Sequence, residues 1–454
     1  MGRQSSWVTA AEPWPRDNGA VDDHHSHSHS AAHGLQGGWD AWLRSPQLRA
    51  VLVAIGLAAI ATIVGAILLW PTDAGRQDAI AAAEELGLAT DRVDARVVTS
   101  ENAECTYSTI DNPVDCRLLT LDILDGPDAG SVIALPEINL ELERSLPELS
   151  AGDGVVLGFA PTTNTYFFED TQRSNVLIVL ALIFAVIVIV FARVRGLLAL
   201  LAMSSTVAIL VLFVAPSVLD GNDPVLVAVV AAAAIAFISL FLTHGFSPTT
   251  TVALAGTLAA LSLTLALSAI FFNLAAFTGF ASSESLVLPF LNSELRLSSL
   301  LLGGAVIGAL GALDDVTVTQ VSTVAELRRN SPELPTATLM RSALEIGRDH
   351  IAATVNTLLL AYAGASLPVL LLFAASEQSL GSVANSELIA VEIVRTLCGS
   401  IGLIAAVPLT TALAAAVLPP QLSSGLQEEG RMTLEEPLPK WDDFAPDPQP
   451  GVTE

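Results

Sequence analysis

Two adjacent aspartates, Asp314 and Asp315, close an apolar run inside residues 303–329, GGAVIGALGALDDVTVTQVSTVAELRR. A carboxylate held in hydrocarbon costs about 2.5 kcal/mol or more, so the pair needs a partner or a water-filled cavity. At about 100° per residue, Gly304, Gly308 and Gly311 share one helix face, which is expected to let a neighbouring helix come close. Asp315 continues that face, followed by Thr319, Ser322 and Glu326, while Asp314 sits on the adjoining one with Thr317 and Val318. A second polar series follows. Arg341, Glu345, Asp349, Ala352 and Asn356 recur at helical spacing, with His350 beside them. Asn356 falls inside the next apolar run, where its amide needs a partner on another helix. Carboxylates with one imidazole suit a hard or borderline divalent cation, or proton coupling. Asp314, Asp315, Asp349, His350 and Asn356 are therefore the candidate ion or proton site. The competing reading is a helix end at the membrane surface with solvated aspartates.

Other residues carry weaker chemistry. Glu392 and Arg395 lie one turn apart in the last apolar run. They form a secondary intramembrane pair, or an interfacial salt bridge whose arginine reaches toward water. His24, His25, His27, His29 and His33 form a tract that can bind transition metals loosely, or is a low-complexity tail. Cys105 and Cys116 suit a disulfide if their segment is exported, with two free thiols as the alternative. Cys398 falls in an apolar run as a small packing residue. His244-Gly245-Phe246-Ser247-Pro248 reads as a tight turn into a capped helix. No G-x-S-x-G, P-loop, C-x-x-C or H-E-x-x-H occurs. Neighbouring aspartates on one helix diverge by about 100°, so they cannot face each other as an aspartyl-protease pair must. The chain is not expected to be an enzyme, and its residues name no cofactor.

The elements that would position these residues are mostly membrane spans. Of 454 residues, 52% are hydrophobic and only 15% charged, in long apolar runs, which indicates a polytopic membrane protein whose first partner is the bilayer. A net charge of −26 leaves no basic face for nucleic acid. Residues 1–48 read as a disordered His/Ser-rich arm and 49–70 as the first transmembrane helix. Residues 71–173 read as an extracytoplasmic β-rich domain, 174–418 as a seven-helix membrane domain and 419–454 as a disordered acidic tail. The expected fold is all-α and polytopic, with about 8 transmembrane helices. The spans after the first are 175–192, 196–216, 224–242, 248–272, 297–313, 351–374 and 387–418. Between helices 1 and 2, a short helix at 79–88 precedes strands at 96–99, 117–123, 131–134, 140–142, 155–159 and 165–168. These suggest a small barrel or sandwich, the OB-like barrel among them. Arg193, Arg195, Arg328, Arg329, Arg341 and Arg348 fall on one side of this topology, which places both termini in the cytoplasm.

Four runs resemble the YibE/F-like family of bacterial multi-span membrane proteins. They are Gly308-Ala309-Leu310-Gly311-Ala312-Leu313-Asp314-Asp315-Val316 with Thr319-Gln320, Ile346-Gly347-Arg348-Asp349-His350-Ile351, Asn356-Thr357-Leu358, and Ala361-Tyr362-Ala363-Gly364. The resemblance spans about residues 91–418, and the His-Ser arm is similar to that of actinobacterial members. It implies a permease-like protein of the bacterial plasma membrane and says little about what is moved. A cation, or a small solute coupled to one, is the expected cargo. The alternative is a non-transporting scaffold or sensor that binds a ligand or envelope partner through its outer β domain. Oligomeric state is not legible in the sequence.

Overall fold

The computed structural model describes residues 46–85, 91–111, 113–143, 146–161, 163–280, 283–375 and 379–418. The histidine tract and the acidic tail lie outside them. Helix α1 spans Pro46–Leu68 and a short helix α2 spans Asp73–Glu85. Six strands follow: β1 Asp91–Glu104, β2 Asp115–Ile123, β3 Val132–Ala134, β4 Ile138–Asn139, β5 Gly154–Ala160 and β6 Thr165–Thr171. Residues Ser174–Leu219 form a helical run, α3, with a π-helical stretch at Leu210–Val214. Then come α4 Pro224–His244, α5 Pro248–Leu274, α6 Ser283–Leu291, α7 Leu297–Asn330, α8 Thr336–Ala365, α9 Leu367–Ala375, α10 Leu380–Asn385 and α11 Glu387–Val417.

The strands form one antiparallel sheet in the order β3-β2-β1-β5-β6, with β4 also paired to β2. Alternation sets its single buried face. Val93, Ala95 and Val97 point inward from β1, Leu119, Leu121 and Ile123 from β2, and Val155, Leu157 and Phe159 from β5. Strand β1 serves both halves, pairing Val97 with Leu121 on one side and Val93 with Leu157 on the other. No ladder joins β3 to β6 among the described residues, so the strands form one open sheet, and of the barrel or sandwich expected the closed barrel is not formed. A disulfide links Cys105 and Cys116 beside the β1–β2 hairpin, with Cα atoms 5.0 Å apart.

Among the described residues, six helical runs are long and apolar enough to cross a membrane, and α8 with α9 makes a seventh if that pair, bent by 60°, counts as one. Run α3 has 46 residues, or about 69 Å of helix, more than twice a bilayer's hydrocarbon thickness. Arg193 breaks it, with φ 52° and ψ −130°. A Cβ on Gly196 would run into the carbonyl of Val188, eight residues earlier, so the chain bends sharply there. Local chemistry sets the neighbouring helix starts. Asp223 caps α4 by accepting from the N–H of Val225 at 2.9 Å, and Ser247 caps α5 by accepting from Thr250 N–H at 3.1 Å. Gly245 between them has φ 73°, a conformation that favours glycine.

Helices α5, α7 and α11 form the centre of the bundle, where Leu254, Leu313 and Leu403 are wholly buried. In contrast, residues 174–192 expose nearly every apolar side chain, Phe191 among them, and α1 buries only Leu48 and Ile55. Two ends of the bundle can be named by their polar residues. At the Asp220 end, Thr72 and Gly75 donate to the Asp220 carboxylate, Ser217 Oγ donates to Leu69 O, and Asn292 Nδ2 donates to Leu219 O. The other end carries Arg195, His244 and the aspartate pair.

Candidate functional site

Helix α7 runs unbroken through Asp314 and Asp315 to Asn330. Its buried face includes Val306, Leu310, Leu313, Thr317, Gln320, Val321 and Val324. Burying these larger side chains removes more apolar area from water than burying glycine does, and it rotates Gly304, Gly308, Gly311 and Asp315 to the open side. A Cβ on Gly304 or Gly311 would touch nothing within 4 Å. Of these three glycines only Gly308 meets a neighbouring helix, its would-be Cβ standing 3.2 Å from the Tyr362 hydroxyl of α8, so the face is not the continuous close helix contact expected. A closer approach comes at Gly303, where a Cβ would lie 2.9 Å from the Pro224 carbonyl.

The aspartates open onto a cavity of about 600 Å³ between α3, α4 and α7. Arg195, Ser239, Thr243 and His244 line it with Asp314 and Asp315. The cavity exists because α3 bends at Arg193, so that residues on both arms of the bend form its wall. Ser239 Oγ donates to Asp314 Oδ2 at 3.3 Å. Asp314 Oδ1 is buried and has no hydrogen-bond partner. A buried acceptor left bare costs about 1–3 kcal/mol, more when charged, so this oxygen calls for a proton, a water or a cation. His350 Nε2 lies 3.8 Å from Asp315 Oδ2 and is likewise buried without a hydrogen bond. That distance permits charge attraction but not hydrogen bonding. With the Asp315 side chain 70% exposed, the attraction is screened and weak.

Of the five residues proposed from sequence, the fold brings Asp314, Asp315 and His350 together. Asp349 and Asn356 are exposed, and neither they nor His350 line the cavity; His350 approaches Asp315 from α8. Among the described residues, Asp314, Asp315 and His350 do not converge as a ready three-donor metal cluster. The grouping that does so, Cys105, Cys116 and Glu137, has both sulfurs joined in the disulfide. Glu392 and Arg395 pair within α11, Nη1 to Oε1 at 3.0 Å, and Arg395 Nε is buried without a partner.

Several polar residues escaped the sequence reading. Ser239 and Thr243 come from a segment far from Asp314 in the chain, and nothing in their local pattern marks them; Arg195 was read only as an orientation marker, not as a cavity residue. Gln320 appeared only within a motif. It is 3% exposed, and its Nε2 donates to Ala343 O at 2.9 Å and to Thr411 Oγ1 at 2.7 Å, tying α7 to α8 and α11. Thr257 and Thr317 share a 2.6 Å hydroxyl contact between α5 and α7. The burial of Gln320 becomes visible only once the facing helices are placed.

No curated protein and no solved structure matches the chain. The model of one protein family, described as YibE/F-like protein, matches residues 180–420. The match takes in the cavity, the aspartate pair and α11, and begins after the sheet, which the sequence resemblance had included. Covering more than half of the 454 residues, it shows that the chain belongs to the YibE/F-like family.

Proposed function

We propose that this is an eight-span transport protein of the bacterial plasma membrane, moving a cation or a solute coupled to one. The observation that carries the reading is the cavity reaching two carboxylates, with one buried oxygen of Asp314 unpartnered. Counting α3 as two spans divided at Arg193, and α8 with α9 as one, gives eight. An even count keeps both termini on one side, and the arginine-rich turns make that side the cytoplasm. The cavity is then an inner vestibule, and the sheet and the Asp220 end are outside. Two carboxylates against Arg195 and a histidine favour a cation, and the absence of a tight donor cluster favours one that keeps water ligands or is a proton. Nothing in the reading calls for catalysis, a cofactor or nucleic acid.

The test uses full-length protein in liposomes, with influx of Mn²⁺ read by an internal dye and of protons by an internal pH dye. Asp315→Asn should slow influx at least tenfold while size exclusion and melting stay unchanged. Flux at the wild-type rate in that variant would remove Asp315 from the site, and a wild type that moves neither ion would end the transport reading.

One observation favours a second reading, a membrane sensor. Asp220 accepts from Thr72 and Gly75 and so clasps the start of α2, the connection to the sheet, onto the helix bundle. A sensor would lose its cellular phenotype on deletion of residues 91–171 and keep it in Asp315→Asn.

A further inference from the structure

The cavity between α3, α4 and α7 holds opposite charges that do not meet. Asp314 and Asp315 stand on the α7 wall and Arg195 on the α3 wall. Among the described residues, no ion pair joins Arg195 to either aspartate. Arg195 follows the non-helical Arg193 by two residues, so the bend itself holds the guanidinium on this wall. Helix α4 adds no second permanent cation. Thr243 Oγ1 donates its one proton to Ser239 O at 2.7 Å. In its 2.7 Å contact with His244 Nδ1 it must therefore accept, which leaves the neutral imidazole an acceptor at Nε2. The rest of the lining is largely apolar, with Val188 and Ala192 before the bend, Ala199 after it and Val318 on α7.

This lining selects a ligand with two charges. A bare cation drawn to the carboxylates would face the Arg195 guanidinium across the same space, and an anion drawn to Arg195 would face the carboxylates. A small organic zwitterion satisfies both walls. Its ammonium group donates to Asp315, whose side chain is 70% exposed, and its carboxylate accepts a forked pair of bonds from Arg195. The methylenes between lie on the apolar wall. Size agrees, because small-molecule pockets run from about 300 to 1,000 Å³ with mostly apolar linings and a few placed polar groups, and this cavity has about 600 Å³. We infer that the cavity binds a small zwitterion of the amino-acid class, ammonium at Asp315 and carboxylate at Arg195. The inference rests on the transport reading above and names its solute. The buried Oδ1 of Asp314 stays out of that solute's reach and remains for the coupling cation.

Full-length protein in detergent micelles is titrated calorimetrically with glycine, 4-aminobutyrate and 6-aminohexanoate, and with butylamine and butyrate as single-charge counterparts. At least one of the three amino acids should bind tenfold or more tighter than both counterparts. Arg195→Gln should weaken that amino acid at least tenfold and tighten butylamine. Asp315→Asn should weaken it at least tenfold and tighten butyrate. Opposite shifts within one variant separate a lost charge from a lost fold, since unfolding weakens every ligand. No amino acid bound by wild type, butylamine bound as tightly as the best amino acid, or wild-type affinity in Arg195→Gln would overturn the inference. So would equal weakening of all ligands in variants that match wild type in size exclusion. The ion assay keeps the two readings apart. Mn²⁺ or proton influx through a wild type that binds no amino acid removes the solute and leaves the cation. Charge-selective amino-acid binding by a wild type that moves neither ion keeps the ligand site and ends only the transport reading.

Discussion

Replacing Gln320 probes the join between the aspartate helix and its two neighbours. Its Nε2 makes both bonds, to Ala343 O at 2.9 Å and Thr411 Oγ1 at 2.7 Å, in a site that is 3% exposed. A neutral hydrogen bond contributes about 0.5–1.5 kcal/mol net, so the pair is worth about 1–3 kcal/mol. The lower half of that range applies here. Thr411 Oγ1 also donates to Val407 O at 2.7 Å, and Ala343 O lies inside α8, so neither partner is orphaned. Gln320→Met, which keeps the volume, should therefore cost about 1–1.5 kcal/mol, roughly a tenfold change in the unfolding constant. Gln320→Ala adds a cavity and should cost about 2–4 kcal/mol. Gln320→Glu sets a carboxylate oxygen against the Ala343 carbonyl and should cost about 3 kcal/mol or more, as an unpaired buried charge does. Reversible unfolding of purified protein in mixed detergent and SDS would rank the three. A Met variant less stable than the Ala variant, or a Glu variant as stable as wild type, would refute the assigned donor geometry.

Two further predictions concern packing and pH. A Cβ on Gly402 would collide with Thr264 Oγ1, so Gly402→Ala should destabilise by about 1–3 kcal/mol through forced separation of α5 and α11. Adding Thr264→Ala should restore part of that, and a purely additive double variant would contradict the contact. At Asp220, desolvation raises the carboxyl pKa, but hydrogen bonds from the Thr72 N–H and hydroxyl and the Gly75 N–H outweigh it and leave the pKa below its usual value. A depressed folded pKa contributes stability above the unfolded value of about 3.9, and that stability is lost as pH falls through the folded one. Hydrogen exchange at residues 72–85 should thus be flat from pH 7 to 5, after correction for intrinsic rates, and increase only below about pH 4. Loosening near pH 6 would assign the clasp to another group.

Apolar runs located the long helices, because an uninterrupted stretch of that length has few other ways to satisfy its backbone, but not their ends: α7 continues past 313 to Asn330, and α8 begins at Thr336 rather than 351. Alternation likewise located five of the six strands; 140–142 proved to be a turn after the two-residue β4, and β1 began five residues before its expected start. The aspartate pair and His350 were legible because charges stand out in an apolar sequence. What the sequence left open was rotation and closure. Which face of α7 turns inward depends on the summed area of Val306, Leu310 and Leu313 against that of three glycines, and this set the glycine face outward. Whether β3 meets β6 depends on how the sheet coils. The cavity required Arg193 to bend α3 and so carry Arg195 toward Ser239, His244 and Asp314. These are contacts between residues tens of positions apart, and only the assembled helices bring them together.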